Sequence, residues 1–229
     1  MMENFETESI LNEMENSQFP RALIEQLGRG SGLLIVAGQR RAEVTNVVGE
    51  LITYRINRGF ARSCSRNLFE SLAEETDFVV HSGVIDRSVL ERSLLLAEGG
   101  GFVILNPSAP DVMTVLHQIG CLISGREAES LWWRLSMCLL SVSARMLIGN
   151  RAEAWEILLN TPEVRALLRN GDLLRVEELL YETKEGDGKV SFNQSLLGLL
   201  IRRKITLNQA FLASPQPERL DELMKKVGI

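Results

Sequence analysis

The chain is short of lysine, and its few cysteines are scattered. All five lysines lie at Lys184 or later, so arginine is the only strongly basic side chain of the preceding residues. The three cysteines, Cys64, Cys121 and Cys138, form neither a C-x-x-C pair nor a zinc-ligand spacing. This pattern is typical of free thiols in a reducing compartment and predicts no metal site.

Long apolar runs and a basic leader are also missing. No apolar run approaches the ~20 residues of a membrane-spanning helix. The first 17 residues carry five glutamates and no basic residue, which excludes a secretory signal peptide. The net charge of −5 gives no reason to expect a nucleic acid as partner. We expect no direct membrane insertion, and we expect any link to a membrane to run through a partner.

Short apolar runs alternate with helical patterns in the first half of the chain. The runs at 33–37, 76–81 and 102–105 fit buried strands, and a helical pattern follows each one. This alternation predicts a parallel sheet with helices on both faces. Because such sheets bind ligands beyond the carboxyl ends of their strands, we expect a crevice beside three residues: Gly38, Ser82 and Asn106.

Helical patterns dominate the second half of the chain. We expect helices at 111–119 and 127–146, a last strand at 154–159, and only helices after Asn160. The predicted domains are an acidic N-terminal tail (1–17), a core (18–160) and a helical C-terminal subdomain (161–229).

The most informative local motif is a degenerate phosphate-binding loop. A P-loop, G-x-x-x-x-G-K-[ST], joins a buried strand to a helix. Here Gly38 takes the first position and Thr45 the last, whereas Glu43 replaces the second glycine and Val44 replaces the lysine. The vestigial phosphate loop consists of Gly38, Gln39, Arg40, Arg41, Ala42, Glu43, Val44 and Thr45.

Two C-terminal stretches resemble the type IV pilus retraction ATPases of the type II/type IV secretion ATPase superfamily. Residues 156–171 resemble the pattern E-I-L-x-x-T-P-A-[IV]-R-N-L-I-R-E-G, and residues 191–196 and 205–210 resemble two later patterns in the same order and spacing. Weaker similarity extends the match to residues 18–215. The resemblance implies an α/β fold: a RecA-like P-loop NTPase core, with a trimmed parallel sheet and flanking helices, plus an all-helical C-terminal subdomain.

The chain departs from the resembled family wherever phosphate is handled. The Walker B glutamate falls at Gly83 or Val84, and only the aspartate, Asp86, remains in this vestigial Walker B region. The histidine box T-L-H-T becomes N-P-S-A at 106–109. An acidic strand of the family has no counterpart, because only residues 58–67 fill its interval.

These losses decide the expected chemistry. Without the lysine, the cation that grips the β- and γ-phosphates is gone, and a carboxylate at Glu43 repels a triphosphate. We expect no catalytic residue, no metal site and no cofactor. The alternative is weak binding of ATP with Mg²⁺, for which Arg40 and Arg41 are the available cations of the loop.

Together with the resemblance, this implies a catalytically inactive ATPase homologue: an interaction or regulatory subunit of a bacterial type IV pilus or related secretion motor. Its expected partners are the active pilus or secretion ATPase or an inner-membrane platform protein, and it is expected to form homo- or hetero-oligomers. The expected location is cytoplasmic, with peripheral attachment to the inner membrane through partners. The alternatives are an unconventional ATP-hydrolysing motor of the same superfamily and a stand-alone scaffold.

Two residue pairs are candidates for a protein interface. Trp132 and Trp133 are adjacent on a predicted helix and point about 100° apart, so at least one of them is expected to be exposed. Arg165 and Arg169 lie four residues apart on one helix face. An exposed tryptophan is a natural anchor of interfaces, and the two arginines suit either a solvated face or a contact surface.

Overall fold

The structure is a computed structural model in which a defined set of residues is described. The described residues are 19–38, 41–61, 63–66, 68, 77–149, 152–182 and 188–228, and for residues 41–46 the description covers the backbone alone. The predicted acidic tail, residues 1–17, lies outside this set.

The described elements alternate between strand and helix up to residue 122. In chain order they are α1 (Arg21–Leu27), β1 (Gly32–Gly38), α2 (Arg41–Asn57), β2 (Cys64–Ser65), β3 (Phe78–Ser82), α3 (Arg87–Glu98), β4 (Phe102–Asn106) and α4 (Val112–Leu122). After a short 3-10 turn they continue with α5 (Ala128–Cys138), β5 (Leu139–Ile148), β6 (Ala152–Leu159), α6 (Pro162–Arg169), α7 (Leu173–Tyr181), β7 (Lys189–Val190), α8 (Phe192–Ile201), α9 (Leu207–Ala213) and α10 (Pro217–Val227).

The strands form one sheet in the order β2-β3-β4-β1-β5-β6-β7. The first five are parallel to their neighbours, whereas β6 is antiparallel to both β5 and β7. β1 lies between β4 and β5, and all seven of its residues are buried. A strand that is covered on both faces must be apolar along its whole length, without alternating polar residues.

Helices cover both faces of the sheet. Leu33, Ile35 and Ala37 of β1 belong to the apolar cluster that α3 to α10 cover, whereas Leu34 and Val36 belong to the cluster under α1 and α2. Alternate residues of one strand therefore contribute to the two cores. No helix in the described part of the chain has both the length and the apolar character needed to cross a membrane.

The predicted fold class is confirmed, but one predicted element was wrong. The helix expected at 127–146 ends at Cys138, and Leu139 turns into an extended conformation (φ −63°, ψ 133°) that starts β5. Apolar residues at short intervals in this stretch fit a helix and a doubly buried strand equally well. The parallel pairing of β5 with β1 makes the second half a strand.

Two short strands were also missed. β2 lies in the interval where the family's acidic strand was expected to be missing, and it pairs with β3 at the edge of the sheet. β7 extends the sheet beyond β6, so 154–159 is not the last strand. The described residues after Asn160 form helices, the turns between them and this one short strand. Strands of two residues carry too little pattern to be recognised in a sequence. The domain boundary at residue 160 stays a prediction.

A buried arginine joins α2 to the sheet and to the turn before β1. Arg55 is 1% exposed, and its guanidinium lies 3.7 Å from the ring centre of Phe102 and 5.2 Å from that of Phe78. It donates hydrogen bonds to the carbonyls of Leu27 and Arg29, the latter at 3.1 Å. Burial lowers the pKa of Arg55 to about 10, so the side chain stays charged at neutral pH.

A buried glutamate joins β6 to the helices of the opposite face. Glu156 is fully buried, and its Oε2 accepts a hydrogen bond of 2.8 Å from the backbone amide of Val112, at the start of α4. The neighbouring amide of Trp155 donates to Ser195 Oγ of α8 at 3.0 Å. β6 is therefore bound to α4 and to α8 by consecutive residues.

We expect Arg55→Ala to lower the free energy of unfolding by about 3–5 kcal/mol, because it removes a buried charge and leaves two carbonyls without their donor. Urea unfolding followed by circular dichroism measures the change. The matched control is Arg21→Ala, which removes an exposed pair with Glu25 and should cost less than about 1 kcal/mol. Equal losses in the two variants would contradict this account of Arg55.

We expect Glu156 to make the chain less stable as the pH rises. Burial raises the pKa of Glu156 from 4.5 to about 7. The folded state therefore holds a proton that the unfolded state releases, and stability falls between these two pH values. From about pH 5 to about pH 8 the wild type should lose roughly 2–3 kcal/mol more than Glu156→Gln, which cannot titrate. Urea unfolding at both pH values gives the difference, and equal pH slopes in the two proteins would refute this assignment.

Candidate functional site

A cleft opens at the carboxyl ends of β3 and β4, as the strand order predicts. It has a volume of 880 Å³, and its described lining residues are Ser82, Gly83, Val84, Ile85, Asn106, Pro107, Ser108, Gln118, Cys121 and Leu122. Gly38, at the end of β1, lies beside it, because its carbonyl accepts a hydrogen bond of 3.2 Å from the amide of Ala109. The three strand ends singled out in the sequence therefore meet at one edge of the sheet.

Backbone hydrogen bonds hold this edge together. The Asn106 side chain is fully buried and donates from Nδ2 to the carbonyl of Val36, so it ties β4 to β1. The Asn106 carbonyl accepts from the amide of Gly83 at 3.1 Å, which ties β4 to the end of β3. Oδ1 of Asn106 is buried and has no hydrogen-bond partner among the described residues. The asparagine that replaces the first residue of the family's histidine box therefore serves as a structural bridge.

The vestigial phosphate loop is described in part. Gly38 is the last residue of β1, and Gln39 and Arg40 lie outside the described residues. Helix α2 starts at Arg41, so the backbone of Ala42, Glu43, Val44 and Thr45 is helical. The side chains of these five residues lie outside the description. A helix that begins directly beyond a buried strand is the joint that a phosphate loop uses.

The vestigial Walker B region gives no free carboxylate to the cleft. Gly83 has φ +126°, a conformation that side chains rarely adopt, and Val84 is 83% exposed. Asp86 is the N-cap of α3: its Oδ1 accepts from the Val89 amide at 2.8 Å and from Ser88 Oγ at 2.7 Å. These hydrogen bonds lower the pKa of Asp86, and the bond from the Val89 backbone amide has the largest effect. The retained aspartate is thus occupied in capping a helix.

The described parts of the site suit a phosphate better than a metal ion. The start of α2 presents backbone amides, which bind phosphate without any particular side chain. In contrast, none of the described residues of the cleft carries a charge, and no three His, Cys, Asp or Glu side chains of the described residues are grouped to hold a metal. Mg²⁺ is normally bound through one or two carboxylates together with the phosphates of its nucleotide. The backbone therefore fits a nucleotide, and the described side chains do not supply a magnesium ligand.

An ion-pair network beside Gly38 was missed at the level of the sequence. Arg145 of β5 is the register partner of Gly38, and its side chain is 5% exposed. Its Nη1 lies 3.3 Å from Oε2 of Glu50 in α2, and its Nη2 pairs with Glu153 of β6. Burial raises the pKa of Glu50, and this effect is larger than the lowering caused by the positive charge of Arg145. The sequence signal for this network is Arg145 itself, a charged residue inside an apolar run. It was overlooked because that run was interpreted as a helix.

A second concave surface lies at the opposite edge of the sheet, where β1 and β5 begin. This groove has a volume of 650 Å³ and contains two of the four predicted interface residues, Trp133 and Arg165. Trp133 is 44% exposed, and the groove is also lined by Met137, Arg29 and Glu98. We call it the tryptophan groove.

The other two candidates lie elsewhere. Trp132 is half-buried beside Gly171, and a Cβ at Gly171 would lie 2.9 Å from the indole nitrogen. Arg169 is exposed but does not line the tryptophan groove. The tryptophans thus separate as their spacing predicts, one toward the core and one toward solvent.

Comparison with known proteins identifies relatives. No protein-family model matches the chain. It is 26% identical over 167 residues to the type IV pilus ATPase PilU of Pseudomonas aeruginosa, a match that covers 70% of this chain and 43% of PilU. The chain therefore spans less than half the length of this curated relative.

Two solved structures share the fold of this chain. The pilus retraction motor PilT with bound ADP matches with a TM-score of 0.75 at 21% identity, over 91% of this chain and 68% of PilT. The ATPase DotB of Legionella pneumophila matches with a TM-score of 0.76 at 12% identity, over 87% of this chain and 64% of DotB.

These relatives correct one prediction. The expectation of no cofactor was wrong, because PilU and DotB are ATPases and PilT was solved with ADP bound. The predicted resemblance is confirmed by the match to PilU in sequence and to PilT and DotB in fold. The chain is thus similar in sequence to a type IV pilus ATPase, and it shares its fold with the pilus retraction motor PilT and the ATPase DotB.

Proposed function

We propose that this chain is a nucleotide-binding, non-hydrolysing subunit of a type IV pilus or related secretion motor, with an interaction or regulatory role. One observation carries the proposal. The only Walker B carboxylate that remains, Asp86, caps α3. The two candidate positions of the missing glutamate are occupied by Gly83 in a left-handed conformation and by an exposed valine, Val84.

Nucleotide binding is supported by the frame of the site. β1, α2 and the cleft keep the arrangement of a phosphate loop, and PilT, which has the same fold, holds ADP. Backbone amides at the start of α2 bind phosphate whatever the neighbouring side chains are. We therefore propose an adenine nucleotide as the ligand.

The absence of hydrolysis is supported by the residues that turnover needs. A P-loop lysine stabilises charge on the transferring phosphoryl group, and here Val44 stands in its place. Each missing catalytic group typically costs a factor of about 10²–10⁴ in rate. Two such losses leave hydrolysis at or near background.

The interaction role is supported by what the chain keeps. Its fold matches that of PilT over 91% of its length, and both apolar clusters are continuous across the sheet. The tryptophan groove presents an exposed aromatic side chain with two arginines, Arg29 and Arg165, at its margin. Aromatic and arginine side chains are the usual anchors of protein interfaces. We propose that the active motor ATPase or its platform protein binds there.

A second candidate function is a working motor ATPase with an unconventional loop. It is favoured by the relatives, since PilU and DotB are both named as ATPases. In such an enzyme, Arg40 and Arg41 would replace the missing lysine, together with groups from a neighbouring subunit. The two candidates differ in hydrolysis and not in nucleotide binding.

We expect the full chain to bind ADP and ATP in calorimetric titration and to release no phosphate above background in the presence of Mg²⁺. Binding without turnover follows from an intact backbone frame that lacks the charged groups of catalysis. Phosphate release that Thr45→Ala abolishes would support the working motor instead. Absence of any heat with either nucleotide would contradict the binding half of the proposal.

A designed gain of activity makes this test sharper. The triple variant E43G/V44K/V84E restores the glycine, the lysine and a carboxylate, with the carboxylate at Val84 because Gly83 has a positive φ. We expect phosphate release to rise by at least about 10²-fold over the wild type. The matched control is E43G/V44K/V84Q, which has the same side-chain size without the charge and should stay near background.

We expect the tryptophan groove to be required for association with the active motor ATPase. In size-exclusion chromatography with light scattering, the wild type should form a mixed species with that ATPase. Trp133→Ala or Arg165→Glu should weaken association by roughly 10–100-fold, as loss of an interface anchor does. The control is Arg169→Glu, an exposed charge reversal on the same helix outside the groove. Equal effects of Arg165→Glu and Arg169→Glu would argue against the groove.

A further inference from the structure

The C-terminal region contains a long stretch without any acidic residue. No Asp or Glu occurs between residue 195 and residue 217, although the chain as a whole has a net charge of −5. Three consecutive cations, Arg202, Arg203 and Lys204, lie in the middle of this stretch. All three are exposed, and none takes part in the ion pairs that join described residues. Their charges therefore face solvent without neutralisation.

The turn that carries these cations is fixed by its backbone. It follows α8, and the amides of Arg203 and Lys204 donate to the carbonyls of Leu200 and Leu199, both at 2.9 Å. Arg203 has φ +55°, the left-handed conformation that ends many helices. Ile205 is buried directly after the turn. The backbone is anchored on both sides, while the three charged side chains remain free to bind.

Large aliphatic side chains are exposed in the same segment. Ile201 is 54% exposed, Leu207 is 48% exposed and Leu212 is 79% exposed. Helix α9 is held in place by Ala210, which is fully buried. Exposure of large aliphatic side chains to water is unfavourable. Where several of them lie in one segment with unpaired cations, they mark a binding surface for a membrane or another molecule. We call these six residues the basic–aliphatic surface: Ile201, Arg202, Arg203, Lys204, Leu207 and Leu212.

We propose that the basic–aliphatic surface binds the anionic surface of a phospholipid bilayer. The cations meet lipid phosphates, and the leucines and the isoleucine enter the boundary between headgroups and acyl chains. The observations favour a lipid surface over an acidic protein. None of these six residues lines the cleft or the tryptophan groove, and none is aromatic. A bilayer needs neither a concave site nor an aromatic anchor. This contact is peripheral and involves no membrane-spanning helix.

The proposal goes beyond the proposed function and does not depend on nucleotide or on a motor partner. It differs from the expectation that any membrane link runs through a partner, because here the chain itself contacts lipid.

Co-sedimentation of the purified full chain with vesicles tests the proposal. The vesicles contain either phosphatidylglycerol and phosphatidylcholine in about a 1:2 ratio or phosphatidylcholine alone. We expect binding to the anionic vesicles only, with a strong decrease at high salt. The variant R202Q/R203N/K204Q should bind roughly a hundredfold less, since each cation near an anionic surface adds roughly fivefold. Asn is used at 203 because it tolerates the left-handed conformation.

Two further variants separate a specific surface from general charge. R126Q/R169Q/R175Q removes the same number of exposed charges elsewhere and should retain at least half of the binding. Leu212→Ser should lower binding by about tenfold without changing its salt dependence, because it removes apolar burial and no charge. Circular dichroism verifies that each variant is folded. Failure of the wild type to sediment with anionic vesicles, or equal losses in the two triple variants, would overturn the proposal and leave an acidic protein as the alternative occupant.

Discussion

The architecture depends on the parallel hydrogen bonding of β1 between β4 and β5. A central parallel strand exposes neither face, so both its faces must be covered, and each of the seven residues of β1 is indeed buried. This constraint places α1 and α2 on one face of the sheet and the later helices on the other. It also brings the carboxyl ends of β1, β3 and β4 to one edge, where the cleft opens beside Gly38. The position of the candidate site is therefore a consequence of strand order.

The chemistry of that edge can change while the frame stays. The frame is held by backbone contacts, such as the amide of Ala109 to the carbonyl of Gly38, and by the Asn106 side chain that links β4 to β1. None of these contacts needs a lysine or a Walker B glutamate. Asp86 remains useful without catalysis, because a capping aspartate stabilises the start of α3. A chain with this core can thus lose catalytic side chains and still keep the same frame and the same surfaces.

Buried charges join the layers of the molecule. Arg55 fixes α2 to two aromatic rings of the sheet and to the carbonyls that precede β1. Arg145 connects β5 to α2 and β6 through two carboxylates, and Glu156 connects β6 to the start of α4. Each of these groups makes its contacts with residues far away in the sequence, so no local pattern reveals those contacts. Removing one partner of such a contact leaves a buried charge or dipole without compensation.

The sequence by itself determined the α/β class, the strands β1, β3, β4 and β6, and the loss of the lysine at Val44. These features are local, since each depends on neighbouring residues and on periodicity. The tertiary structure alone decided that residues 139–148 are a strand and that two-residue strands extend both edges of the sheet. It also decided that Trp133 and Arg165 share a groove while Trp132 and Arg169 do not. The physical reason is that pairing with β1 and packing between helices are set by residues distant in sequence, whose contacts no local pattern contains.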